Sequence, residues 1–140
     1  MKFETSTEQD ILQIQRWIDV DLYHKNLFVP SWWLTGAPGS LLSFRLDDSK
    51  GAVCYVRVNK YERYCRLYIQ FAPEQEVSKL RLVKALLKMI PMIADYCKKQ
   101  DVEGIIFESV SPTLIAFGKK IFGFQPAGGN DYMLQFQVGT

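Results

Sequence analysis

Leu67-Tyr68-Ile69-Gln70-Phe71-Ala72-Pro73-Glu74-Gln75-Glu76 is the stretch on which the fold of this chain turns. A β-rich run ends at Pro73, a short polar turn follows, and an amphipathic helical pattern starts near Val77. The first backbone N–H groups of a helix have no intrahelical partner and point outward. A strand that delivers the chain directly to a helix start therefore makes a place for an anion. The junction holds no glycine, the residue that would let an anion come closest to the backbone.

Downstream of the junction, Val77, Leu80, Val83, Leu87 and Ile90 recur at helical spacing, and Leu82, Leu86, Met89 and Ile93 broaden that side. Lys79, Lys84 and Lys88 stay polar. Pro91 predicts a kink, and the pattern resumes to about Lys99. Gly104–Val110 reads as a short, mostly apolar strand; placed after a long helix, it suits a buried parallel position. Ser111-Pro112 reads as an N-cap with proline at the first helical position. Leu114, Phe117 and Ile121 give that helix its apolar side, and Gly123 stops it. Residues 125–131 read as a loop, and Tyr132–Gln137 as a final strand.

Upstream, Tyr64–Phe71 is the third strand of a meander whose others are Ser40–Leu46 and Ala52–Val58. In Ala52–Val58 the residues Val53, Tyr55 and Arg57 share one face, and Cys54, Val56 and Val58 the other. Residues 24–39 carry Phe28, Trp32 and Trp33 among Pro30, Gly36, Pro38 and Gly39. These aromatics either seal one end of the core or line a cleft. Ile11, Ile14, Ile18 and Leu22 mark a first helix over about 7–23. Ser6 and Thr7 are its N-cap candidates, with Gln9 and Asp10 three residues on. Met1–Thr5 reads as a short strand or a lead-in. The order is a mixed α/β one: a mostly antiparallel sheet flanked by helices.

The chain has 140 residues, which predicts one domain over 1–140. Hydrophobic residues are 48% and charged residues 23%, ordinary for a water-soluble globular protein. A net charge of +2 is too small to argue for nucleic acid as a partner. The helix bearing Lys79, Arg81, Lys84, Lys88, Lys98 and Lys99 reads first as a solvated face, with a nucleic-acid-binding face as the alternative. The cysteines are three, Cys54, Cys65 and Cys97, with no C-x-x-C spacing. His24 is the lone histidine, so no metal site is expected. Buried, reduced thiols fit a cytoplasmic protein. No apolar run approaches the roughly 20 residues that span a bilayer, and Met1–Ser6 has no signal-like apolar region.

Four of these stretches, in this order, resemble the GNAT family of acyl-CoA-dependent N-acetyltransferases. They are Thr7–Ile11 with Ile14 and Trp17; Gly51–Val58; Phe71-Ala72-Pro73 with the helix that follows; and Ser111–Phe124, which ends Lys119-Lys120-Ile121-Phe122-Gly123-Phe124. The resemblance implies transfer of an acetyl group from acetyl-CoA to a primary amine by direct attack. It assigns the cofactor to Phe71, Ala72, Val77, Ser78, Lys79, Leu80 and Arg81, and to Ser111 and Phe117 of the last helix. The family's pyrophosphate loop is a Gln or Arg, two spacers, Gly, one spacer, then Gly or Ala. The corresponding residues here are Gln75, Ser78 and Leu80, so both small positions are enlarged. Lys79 and Arg81 would supply charge instead. Lys119 stands where the family often has the tyrosine that protonates the departing thiolate, and Ser111 where it often has an asparagine.

Amine attack needs a neutral amine, hence a group to take its proton. Glu74, at the end of one strand, and Glu108, on the strand beside it, are the candidate bases if those strands splay around the cofactor. Trp32, Trp33 and Tyr68 are candidates for an aromatic-walled acceptor cleft, which would suit a cation. The missing glycines and tyrosine also fit a degenerate member acting as a binding or regulatory module. A homodimer would follow if Ala52–Val58 or Tyr132–Gln137 lay at a sheet edge.

Overall fold

The computed structural model describes residues 1–21 and 28–137. Seven strands form one sheet: β1 (Lys2–Glu4), β2 (Leu42–Asp48), β3 (Gly51–Lys60), β4 (Cys65–Phe71), β5 (Gly104–Glu108), β6 (Gln125–Pro126) and β7 (Asp131–Gln135). Their order across the sheet is β1-β2-β3-β4-β5-β7-β6. Every pairing is antiparallel except β4 with β5, which is parallel as the apolar run after a long helix predicts. The mixed, mostly antiparallel α/β class is the one the sequence pattern gives.

The first helix is shorter than its apolar spacing suggests. It consists of a 3-10 turn, Glu8–Asp10, and α1 (Ile11–Val20). The Asp10 carboxylate accepts the backbone N–H of Thr7 at 2.8 Å, closing the start as the capping-box spacing predicts. Leu22 and His24 fall outside the described residues. The hairpin between β2 and β3 turns on Ser49-Lys50, and Gly51 follows at φ 129°, a conformation that favours glycine.

The period-two alternation assigns the two faces. Phe44, Leu46, Cys54, Val56, Val58, Leu67 and Ile105 are buried on the face packed by α2 (Lys79–Lys98). Ser43, Tyr55, Arg57 and Gln70 are buried on the other, where α1 lies. Each large aliphatic side chain fully buried in this way contributes roughly 1.5–3 kcal/mol. Two strand-edge readings are corrected: β3 lies between β2 and β4, and β7 between β5 and β6. β3 is paired on both sides along its length, whereas β6 covers β7 only at Tyr132 and Met133. The segment read as a loop after Gly123 holds the short outer strand β6.

The long helix starts two residues later than its apolar pattern. Ser78 is the N-cap, its Oγ accepting the Arg81 N–H at 3.3 Å. Its buried stripe is Ala85, Leu86, Met89, Ile90, Ile93, Ala94 and Cys97. Leu80 and Leu87, expected on that stripe, are 62% and 46% exposed. The helix runs through Pro91, which sits on the exposed side, where water can serve the carbonyl its missing N–H leaves unpaired. The last helix splits into α3 (Pro112–Phe117) and a π turn, Gly118–Phe122, ended by Gly123 at φ 83°. Buried Gly118 lies against Phe107 and Phe124, and α3 with its π turn shares the face of α2.

One feature positions the site. β4 and β5 pair only at Cys65↔Ile105 and Arg66↔Ile106. Beyond Arg66, β4 follows β3 to Phe71, while β5 follows β7 to Glu108. The sheet therefore consists of two halves joined by a two-position seam and by the Glu103 N–H donated to the Arg63 carbonyl at 2.7 Å. Toward the C-terminal ends of β4 and β5 the ladder is broken, which defines the gap between them.

Candidate active site

The gap has strand backbone on both sides and the start of α2 beyond the end of β4. Pro73 turns the chain out of β4: the N–H groups of Glu76 and Val77 both donate to its carbonyl, at 2.9 and 3.1 Å. Val77 is buried and its N–H is used in this turn, so it is removed from the group expected to face an anion. Ala72 is likewise buried, its N–H donated to the Val53 carbonyl at 3.0 Å. Phe71 is half-buried opposite Cys54. Ser78, Lys79 and Leu80 are exposed in the first turn, where helix geometry leaves the N–H groups of Lys79 and Leu80 without intrahelical partners. Leu80 thus stands in the first turn, in solvent rather than in the core.

Arg81 is committed elsewhere. Its Nε and Nη2 donate to the two carboxylate oxygens of Asp48, at 2.6 and 2.7 Å, and its Nη1 to the Glu76 carbonyl. It anchors the start of α2 to the end of β2 rather than offering free charge. Arg81 holds the Asp48 carboxyl at about 2, well below the usual carboxylate range. A carboxyl depressed on folding stabilises the native state above its unfolded pKa. That contribution fades as pH falls through the folded value. Asp48→Asn should therefore cost about 1–2 kcal/mol in urea unfolding at pH 7, and the gap to wild type should close between about pH 4 and pH 2. A gap that stays constant over that range would remove Asp48 as the titrating group.

On the other side of the gap, β5 ends at Glu108, an exposed residue whose register partner on β7 is Asp131. Asp131 accepts both Nη groups of Arg66, at 3.1 and 3.0 Å. Glu74 is exposed in the turn after β4. Of the two candidate bases, Glu108 ends β5 and Glu74 lies in the turn three residues beyond the end of β4. Ser111 caps α3, its Oγ accepting the Leu114 N–H at 3.3 Å. Phe117 packs edge-on against Phe122. Lys119 is exposed, its ammonium 5.6 Å from the ring centroid of Tyr132 on β7. That strand lies on the side of β5 away from β4, so Lys119 is directed away from the gap.

The aromatic residues read as a cleft wall are packed against one another. Trp33 is 0% exposed. Phe28 stacks on Trp32 at 3.9 Å between centroids, and the Arg57 guanidinium carbon lies 4.1 Å over the Trp32 ring. Two groups that close cannot share one face, so both faces of Trp32 are taken. A cation already occupies this aromatic cluster, and it is the protein's own. Tyr68 meets Phe28 and Trp32 edge-on, and its hydroxyl lies 3.2 Å from that of Tyr61. Burial, then the Tyr61 hydroxyl, raise its pKa and keep it a phenol.

Arg57 was not singled out by its sequence. It is 3% exposed, and it donates to the Asn59 side chain and to the Trp32 and Pro38 carbonyls, at 2.7, 2.8 and 2.9 Å. Burial lowers its pKa. It ties the segment over this face to the sheet. The thiols offer no nucleophile: all three cysteines are buried, and burial raises Cys54, Cys65 and Cys97, the last to about 12. Among the described residues no cluster of potential ligands could hold a metal ion, and no helix is long and apolar enough to cross a membrane.

No family model matches the sequence, and no curated protein matches it. Solved structures do match the fold. A probable acetyltransferase from Staphylococcus epidermidis superposes with a TM-score of 0.69 at 12% identity, over 97% of this chain and 99% of that one. The ribosomal-protein-S18-alanine N-acetyltransferase of Escherichia coli gives 0.68 at 14%, over 99% and 96%. A GNAT family acetyltransferase from Brucella melitensis, solved in complex with acetyl-CoA, gives 0.58 at 10%, over 99% and 90%. At these identities it is the architecture that is shared: the chain has the fold of the GNAT acetyltransferases.

Proposed function

We propose that the protein transfers an acetyl group from acetyl-CoA to a primary amine. The parting of β4 from β5 after only two paired positions, beside the start of a 20-residue helix, supports this reading most directly. The donor set fits the cofactor. Beyond Arg66, the edge of β4 that faces the gap has no ladder partner among the described residues, and it can serve the amides of an extended arm. The N–H groups of Lys79 and Leu80, with the Lys79 ammonium, suit a pyrophosphate. Ser111 and Phe117 would flank the arm from the side of α3. When bound, acetyl-CoA supplies the acetyl group as a thioester. Glu108 takes the proton from the acceptor ammonium, with Glu74 as the second carboxylate at the same end. Tyr68, held protonated, borders the acceptor face. One of the similar structures modifies the alanine of a ribosomal protein, so short peptides with a free amino terminus are the first acceptors to screen.

A second reading has its own support. Arg81 and the Val77 N–H are engaged internally, and Leu80 is bulky where the resemblance has a small residue. A module that keeps the fold and has lost transfer fits these facts. Titration with acetyl-CoA and with CoA, read by heat, separates the two. One-to-one binding below about millimolar, weakened at least about tenfold by Ser78→Glu, supports the cofactor site, and acetylation of any amine supports the enzyme. Binding without turnover on any amine leaves the module. Absence of heat at millimolar CoA ends both readings of the gap as an acyl-CoA site.

A further inference from the structure

We propose that Arg66 and Asp131 form a strap across β5 that sets the width of the β4–β5 gap, and so act as positioning residues for the acyl-CoA arm. The second half of this statement rests on the acetyltransferase reading above. Arg66 is the last residue at which β4 is joined to β5. Alternation places its side chain on the α1 face, with Ile106, Glu108, Met133 and Asp131. From there it crosses β5 completely and reaches Asp131 at the start of β7. The guanidinium and carboxylate meet as two parallel N–H···O bonds, a geometry that fixes orientation as well as distance.

Among the described residues, one other side-chain ion pair bridges the seam, Arg63 with Glu103. Two paired positions, with the Glu103 N–H donated to the Arg63 carbonyl at 2.7 Å just before them, are few to hold two half-sheets at a fixed angle. The neighbouring Arg63–Glu103 pair is 73% and 54% exposed, hence strongly screened. Arg66 and Asp131 are 19% and 27% exposed, so their attraction is less diluted. The strap also has an electrostatic task. Asp131 faces Glu108 across the β5–β7 ladder, and two carboxylates directly opposite repel. Arg66 neutralises one of them and keeps the strand end that carries Glu108 in register.

The test is hydrogen exchange of backbone amides in the wild type, in Asp131→Asn and in the charge-exchanged pair Arg66→Asp/Asp131→Arg, all without ligand. Asp131→Asn should speed exchange over residues 65–69 and 104–108 by about tenfold and leave the β2–β3 ladder unchanged. The exchanged pair should recover most of that protection. CoA binding should weaken about tenfold in Asp131→Asn and return in the pair. Unchanged exchange at the seam overturns the strap, and so does an equal acceleration in β2–β3, which would mark a merely global loss of stability. A wild type that binds no CoA removes the acetyltransferase reading and the strap's positioning role, while the ligand-free exchange still decides whether the strap exists. Normal CoA affinity in an Asp131→Asn protein with a loosened seam overturns the positioning role alone.

Discussion

Asp10→Ala is expected to lower the unfolding free energy by about 3 kcal/mol or more, the range for removing one partner from a buried charge network. Asp10 is a buried carboxylate at the start of the first helix. It accepts the Tyr55 hydroxyl at 2.7 Å, Arg45 Nη1 at 2.8 Å and the Thr7 N–H at 2.8 Å. Burial alone would raise its pKa. The Thr7 N–H, the Tyr55 hydroxyl and Arg45 outweigh burial and hold it below the usual carboxylate range. Its contribution is therefore present at neutral pH and fades as pH falls through that lowered value. Asp10→Asn keeps the shape and loses the charge, and should fall between wild type and alanine. Urea unfolding at pH 7 is the measurement. A loss under about 1 kcal/mol for the alanine variant would show that Arg45, which keeps Asp47, and Tyr55, which keeps Gln13, compensate each other.

Glu108→Gln should reduce kcat by about 10²–10⁴-fold with an acceptor that the screen identifies, the range for loss of a positioned general base. Stability should hold or rise slightly, because the substitution removes a carboxylate opposite Asp131. The affinity for CoA should not move, since no part of the proposed cofactor site includes Glu108. That division between kcat and binding distinguishes a base from a residue that shapes the gap. Glu74→Gln is the matched comparison from the other strand end. If Glu74→Gln loses turnover and Glu108→Gln does not, the roles exchange; if neither does, the proton leaves by water.

The fold was legible because its signals are local. Alternation in Ala52–Val58, the proline after Phe71 and the cap at Ser111 each act over a few residues, and each appears in the structure near its expected place. The errors came where a long side chain or a distant strand decides the outcome. Val77 matches the helical period, yet its N–H belongs to the Pro73 turn. Arg81 reads as a phosphate ligand until β2 brings Asp48 to it, 33 residues away in sequence. Lys119 sits in a π turn, which shifts the helical register that sequence spacing assumes. Arg66 and Asp131 are separated by 65 residues, and no short-range pattern links a strand arginine to the end of a loop. The candidate bases were visible only through the resemblance, because nothing local makes Glu74 or Glu108 differ from other strand-end acids.

The packing of the aromatic layer has a practical optical consequence. The chain's three tryptophans, Trp17, Trp32 and Trp33, all lie on the α1 side of the sheet, around Tyr55 and Arg57. None belongs to α2, whose start would hold a pyrophosphate. Ultraviolet emission is thus a reporter for one face of the molecule. It should respond when an acceptor or a disturbance reaches Trp32, whose ring is pressed between Phe28 and a guanidinium, and stay nearly silent to an anion arriving at Ser78.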